Sequence, residues 1–420
     1  MSTTTDSDAL FTDTGTNAGT GAGTNTGTGT NTLELKGIVK NYKGSTVLDD
    51  INLAVPAAST LVLFGPSGGG KSVLLRLIAG VIEPDKGAIL IDGRNMAGVD
   101  PEDRGIGMAF QNFALFPHMT AHNNIASSLE MNEPSTSRLK SAVESVAKLL
   151  KIDHVLDHTP RELSNGQKQR TALARALVGS PSLLLLDDPL RNVDAKLRFE
   201  MRIELPALLA RQQTTVVYVT QDYKEAMALG DQIVVLADGR IVQSGTPATI
   251  YQQPATVEIA RQFGDPSINL LNVTPEQDSQ GLFVTLSGTR LALDAGYGDI
   301  SGKPCILGMR AESLTFVARD NSNSSQTSES NEPGIQNPTI PVTIEAVTPL
   351  NEKIVTLAMT TGNRELLLSR PAGTDGPTSG NALVTLDATA IHLFDEQSGH
   401  RISSKGKPQI PHDGGSVAAA

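Results

Sequence analysis

The stretch TLVLFGPSGGGKSVLLRLIAGV, Thr60 to Val81, limits the possible folds of this chain more than any other. An apolar run closed by a glycine reads as a buried strand, and apolar residues at helical spacing follow it. Between them lie Gly65, Pro66, Ser67, Gly68, Gly69, Gly70, Lys71 and Ser72, which match G-x-x-x-x-G-K-[ST] in the strand-to-helix setting that the pattern requires. The glycines let the backbone curl until its amide groups point inward at phosphate oxygens. The helix N-terminus adds a favourable potential for an anion. In such a loop Lys71 reaches the β- and γ-phosphates, and the Ser72 hydroxyl ligates Mg²⁺. The loop by itself suits a kinase or a GTPase equally well.

Other parts of the chain narrow the choice. With 34 Lys and Arg against 45 Asp and Glu, the net charge of -11 argues against nucleic acid, or an anionic bilayer, as a partner bound through bulk electrostatics. No apolar stretch approaches the ~20 residues needed to cross a bilayer, so a membrane role runs through a partner protein. Cys305 is the single cysteine; it excludes an internal disulfide and lies in an apolar stretch suited to a buried thiol. Residues 1–32 hold no Lys or Arg and no apolar core segment, so they read as a disordered Thr/Gly/Asn-rich leader and not a secretory signal.

From residue 33 to 265 strands and helices alternate. GAILIDG and GIGMAF are strand candidates, and SLLLLD and TTVVYVT suit inner strands of a parallel sheet covered on both faces. Residues 137–152 form an amphipathic helix, and 194–212 supply a crossover helix. Asp238-Gly239 sits between alternating apolar runs, a hairpin signal. Past Pro266 the texture changes to short strand-like pieces, LFVTLS, CILGMR, PVTIEAV, IVTLAM, ELLLSR and AIHLF, which predict a small β-barrel-like domain over 266–402. A polar insertion at 320–338 and a polar tail at 403–420 read as disorder. The fold class is therefore α/β, followed by a β-rich domain.

RELSNGQKQRTALARALVGSPSLLLLDDP, with GMAFQNFALFPHMT before it and YVTQD after it, closely resembles the ABC transporter ATPases. LGMRAESL and IHLFDEQSGHRI look like the regulatory, OB-like domain of the maltose and glycerol-phosphate importer ATPases. The resemblance covers 33–402 apart from the insertion. It implies a head-to-tail dimer, homo- or heteromeric, with ATP and Mg²⁺ held between Gly65–Ser72 and Val73 of one subunit and Ser164, Asn165, Gly166 and Gln167 of the other. It further implies that Tyr42 stacks on adenine and that Asp187 and Gln111 serve the metal. Asp188 positions the attacking water, and Gln221 contacts the γ-phosphate. The implied partners are integral-membrane permease subunits docked on the segment 112–124, with an extracytoplasmic solute-binding protein beyond them. The implied location is peripheral, on the cytoplasmic face of the inner membrane.

Four residues depart from the family pattern. Asp188 stands where Glu is usual, so its carboxylate sits roughly 1.5 Å, about one C–C bond, further back. Gln221 replaces a histidine and cannot become a cation. Asn165 replaces the first glycine of LSGGQ, a position where Asn would tolerate an unusual backbone angle. Arg191 replaces a serine in the loop after the acidic strand and brings bulk and charge where subunits should cross. Together they suggest slowed hydrolysis, a degenerate ATP-binding chain in a heterodimer, or a regulatory subunit without turnover. The C-terminal resemblance favours a sugar, polyol or glycerol-phosphate-like solute; polyamine, iron or oxyanion import has the same layout. His154 and His158 would share a helix face if their stretch were helical, and without a third ligand they read as surface histidines.

Overall fold

A computed structural model of the chain describes residues 31–129, 136–317, 338–387 and 390–404. Its centre is a six-stranded sheet in the order Arg240–Gly245, Gln232–Ala237, Thr60–Phe64, Thr215–Thr220, Leu183–Asp187, Ile106–Ala109. The last five run parallel. The first pairs antiparallel through the Asp238-Gly239 turn, whose residues both have positive φ, as a type I′ hairpin requires.

Alternation along the inner strands explains why both faces are covered. Leu184 and Leu186 join one buried cluster with Leu173, Leu177, Met201 and Leu205 from the helices Asn165–Leu177 and Ala195–Gln212. Leu183 and Leu185 enter another with Leu74 and Leu75 of the helix Lys71–Ile78. That second cluster is closed by an antiparallel sheet of Ser45–Pro56, Asn31–Tyr42, Lys86–Ile91 and Arg94–Asn95. GAILIDG is thus a strand, but of this outer sheet. The strand Asn31–Tyr42 begins two residues inside the stretch expected to be disordered; residues 1–30 lie outside the described residues.

Helices Ala121–Ala126, Thr136–Leu149 and Asn165–Leu177 form a helical insertion between the strands at 106–109 and 183–187. After the helix Val257–Gln262 the chain is almost entirely strand, starting at Asn269. Three antiparallel sheets follow, including a five-stranded one in the order Leu314–Phe316, Gly380–Leu386, Thr339–Pro349, Lys353–Thr360, Glu365–Pro371. They curl around one apolar core containing Leu307, Ile340, Leu366 and Leu393, an OB-like arrangement. Cys305 is buried in that core. Most of the insertion at 320–338 and the tail from 405 onward fall outside the described residues, whereas Ser404 is buried. No helix among the described residues is long and apolar enough to cross a membrane.

Candidate functional site

The phosphate loop leaves the strand Thr60–Phe64 at its C-terminal end, the usual place for a ligand site in an open α/β sheet. Gly65 is required there, because a Cβ would lie 2.1 Å from the Leu236 carbonyl oxygen. Gly70 has φ 96° and caps the helix Lys71–Ile78, and a Cβ there would lie 3.0 Å from the Val47 carbonyl oxygen. Lys71 is almost fully buried, and its ammonium donates to the carbonyls of Gly65 at 2.8 Å and Pro66 at 2.7 Å. Burial pushes its pKa down, and Asp188 and Asp187 oppose that. The Gly69 amide donates to the Pro66 carbonyl, tightening the bend.

Across the cleft, Asp187 ends the strand Leu183–Asp187 and accepts a 3.1 Å hydrogen bond from the Ser72 hydroxyl. Burial raises the Asp187 carboxyl above the usual carboxylate range, against the Ser72 bond. Asp188 is buried, with φ 46°, a left-handed conformation that Asp adopts more readily than most residues. Its amide donates to the Val219 carbonyl, which fixes the carboxylate at the cleft. Burial raises its pKa too, and Arg191, with its Nη1 3.6 Å from Asp188 Oδ2, draws it back. Because Arg191 is half exposed, this pair is worth about 1 kcal/mol at most.

One cleft of about 220 Å³ is lined by Ser67, Gly68, Gly70, Lys71, Ser72, Val73, Gln111, Asp187, Asp188 and Gln221. Thus most of the residues expected at the site come together. Val47, Val219 and Arg191 join them; the resemblance puts Arg191 where subunits cross, whereas no sequence signal gives Val47 and Val219 a place at the site. A second cleft opens beside it, sharing Asp188, Arg191 and Gln221 and adding Arg198, Asp222, Tyr223 and Glu225. Glu225 is buried and accepts from the Tyr218 hydroxyl at 2.9 Å and the Thr220 hydroxyl at 2.8 Å.

Tyr42 does not line the cleft. It ends the strand Asn31–Tyr42 with its ring exposed and pairs across the hairpin with Ser45, two residues before Val47, which does line it. Ser164, Asn165, Gly166 and Gln167 also lie outside it, at the N-terminus of Asn165–Leu177. Ser164 is the N-cap, and Gln167 returns its side chain to the Ser164 amide at 2.9 Å, completing a capping box. Asn165 is the first helical residue and has no positive φ, so no unusual backbone angle is needed there.

The segment 112–124 is a built loop. Asn124 is fully buried and its side chain bonds the Phe116 amide and carbonyl and the Met119 and Thr120 carbonyls. Arg175 donates to the Ala114 and Phe113 carbonyls, and both of those residues have positive φ. Phe116 is left exposed at its tip. His154 lies in a single 3₁₀ turn that ends at Val155, so no helix carries His154 and His158 on one face.

The family model for ABC transporters matches residues 48–191. The sn-glycerol-3-phosphate import ATP-binding protein UgpC of Yersinia enterocolitica is 37% identical over 374 residues, covering 89% of this chain and 99% of that protein. Its namesake from Escherichia coli K12 is 37% identical over 373 residues, 88% of this chain and 99% of that one. A solved dimeric ATP-binding cassette in a post-hydrolysis state, bound to ADP and Pi, is 30% identical; it covers 51% of this chain and 98% of its own, with a TM-score of 0.48. The chain belongs to the ATP-binding subunits of ABC transporters, among the carbohydrate-importer ATPases, and is an ATPase coupled to transport.

Proposed function

We propose that this chain drives uptake of sn-glycerol-3-phosphate or a closely related polyol or sugar phosphate, hydrolysing Mg²⁺-ATP more slowly than its family norm. The observation that carries the catalytic reading is the single cleft in which Lys71, Ser72, Gln111, Asp187 and Asp188 converge. The solute class follows from the named substrate of relatives matched along nearly their whole length.

The residues present fit magnesium. Ser72 and Asp187 offer two hard oxygens side by side, leaving other positions to water and phosphate, as this ion prefers. Among the described residues there is no group of three His, Cys, Asp or Glu to cage a metal, so this pair with Gln111 is the protein's contribution. When bound, the ion neutralises charge on the β- and γ-phosphates. Lys71 exchanges the carbonyls of Gly65 and Pro66 for phosphate oxygens, a change from neutral to charge-assisted acceptors. Amides of the loop from Gly65 to Ser72 hold the remaining oxygens, Val73 begins the helix behind them, and Tyr42 stacks on the base. Asp188 orients the attacking water, and Gln221 donates to the γ-phosphate. A second subunit covers the nucleotide with its Ser164–Gln167 corner, where the capped helix end supplies a further dipole. Phe116 and its neighbours dock the permease on the cytoplasmic face of the membrane, with a solute-binding protein outside.

Slowed turnover is supported by the short, Arg-paired carboxylate of Asp188 and by the neutral Gln221. The test is reconstitution of the full chain with its permease subunits in vesicles. Uptake of glycerol-3-phosphate with accompanying ATP hydrolysis is expected. Uptake of a polyamine, iron or an oxyanion instead would overturn the solute class. Hydrolysis that begins only when a different ATPase chain is added would make the second subunit that different chain, a heterodimer.

A further inference from the structure

We propose that Arg191 is a catalytic residue of this site, its guanidinium moving from Asp188 to bridge the γ-phosphate of bound ATP. The inference rests on the reading of the cleft as a triphosphate site.

Among the described residues lining that cleft only Lys71 and Arg191 are cations. Lys71 rises from the floor of the loop, at the β- and γ-phosphate side. Arg191 stands at the junction with the neighbouring cleft, together with Asp188 and Gln221, on the side where the water attacks. Phosphoryl transfer spreads negative charge over the equatorial oxygens of the transferred group, so a cation there lowers the barrier, and a planar guanidinium can grip two oxygens at once. Gln221 brings a donor to the same place but no charge.

The local backbone sets Arg191 up for this. Asp188 turns the chain, its carbonyl accepts from the Arg191 amide at 3.3 Å, and the two side chains meet on one side of the turn. Arg198 then fixes the loop from beneath by donating to the carbonyls of Leu190, Arg191 and Val193. With its charge spent on those carbonyls, Arg198 is held in the loop, whereas Arg191 is half exposed and tied by one 3.6 Å ion pair. Such a pair is readily exchanged for, or shared with, a more highly charged anion.

Equilibrium binding of Mg²⁺-ATP and Mg²⁺-ADP to the purified full chain tests the inference, because only ATP carries the γ-phosphate. Arg191→Ala is expected to weaken ATP about tenfold while leaving ADP within about twofold, and to lower turnover about a hundredfold. Arg191→Lys should recover part of the turnover, since the charge returns without the fork. In the Asp188→Asn background Arg191→Ala should still weaken ATP about tenfold. If the effect vanishes there, Arg191 only neutralises Asp188, and the inference fails. Equal weakening of ATP and ADP makes Arg191 a prop of the loop, which also overturns it, as does an unchanged ATP-to-ADP ratio. Absence of any nucleotide binding by the unaltered chain would instead refute the reading of the cleft itself.

Discussion

The phosphate loop and the turn at Asp188 both line one cleft, yet they tolerate change very differently. The phosphate-loop wall is made of backbone: Gly65 has no room for a methyl group beside Leu236, Gly70 needs its positive φ, and Lys71 is buried against the loop's own carbonyls. The other wall, the water side of the proposed function, is made of side chains: Asp188 and Arg191 project from a turn whose backbone is fixed by other bonds, and Gln221 lines the cleft beside them. A wall built from backbone admits almost no substitution without losing the fold. A wall built from side chains can drift while its frame persists, and it is there that Asp188, Arg191 and Gln221 leave the family pattern.

A gain in turnover should come from moving the water-side wall back toward that pattern. Asp188→Glu restores the missing methylene, and Gln221→His restores a group able to carry charge. Together they are expected to raise ATP turnover about tenfold or more in the permease complex, measured as released phosphate. With Arg191 supplying charge, Asp188→Glu should account for the greater share. An unchanged rate would mean that the side-chain wall is as well adapted as the backbone one, and the contrast would disappear.

A smaller effect is expected where the β-rich region meets the ATPase region. Asp265 takes a 2.8 Å bond from Lys224, near the water-side wall, and a 3.0 Å bond from Lys353 on the strand Lys353–Thr360. These partners, Lys224 foremost, hold its carboxyl below the usual carboxylate range. A depressed folded-state pKa stabilises above the unfolded value of ~3.9 and is lost as pH falls through the folded one. Asp265 is substantially exposed, so Lys353→Ala should cost less than about 1 kcal/mol at neutral pH. The difference between the two proteins in thermal unfolding should shrink below pH 4 or so. A difference that persists in acid would show that Lys353 acts through packing.

The phosphate loop was legible because everything that defines it is local: a strand, eight residues and a helix in sequence. SLLLLD and TTVVYVT were legible as inner strands for a similar reason, since burial on both faces demands an unbroken apolar run. The outer sheet was harder. Asn31–Tyr42 and Ser45–Pro56 mix apolar and polar residues, and their pairing through Lys43 and Gly44, both at positive φ, is a two-residue turn easily passed over. Glu276–Asp278 is a strand without one apolar residue. At the site, residue types singled out Lys71, Ser72 and Asp187, which the fold brings into one cleft. The place of Arg191 in the cleft depends on a left-handed Asp188 and on carbonyls caught by Arg198, neither of which leaves a trace in composition or spacing. Asn165 drew attention as a non-glycine, but the position is an ordinary helix start that makes no special demand on the backbone.

Titration calorimetry of Mg²⁺-ATP against the purified full chain and its Lys71→Ala variant bears most directly on the central claim. Saturable binding by the unaltered chain, weakened about a hundredfold when the Lys71 ammonium is removed, is the expected result. No heat of binding from the unaltered chain, or equal affinity in both proteins, would mean that the loop from Gly65 to Ser72 is not where this protein holds its nucleotide.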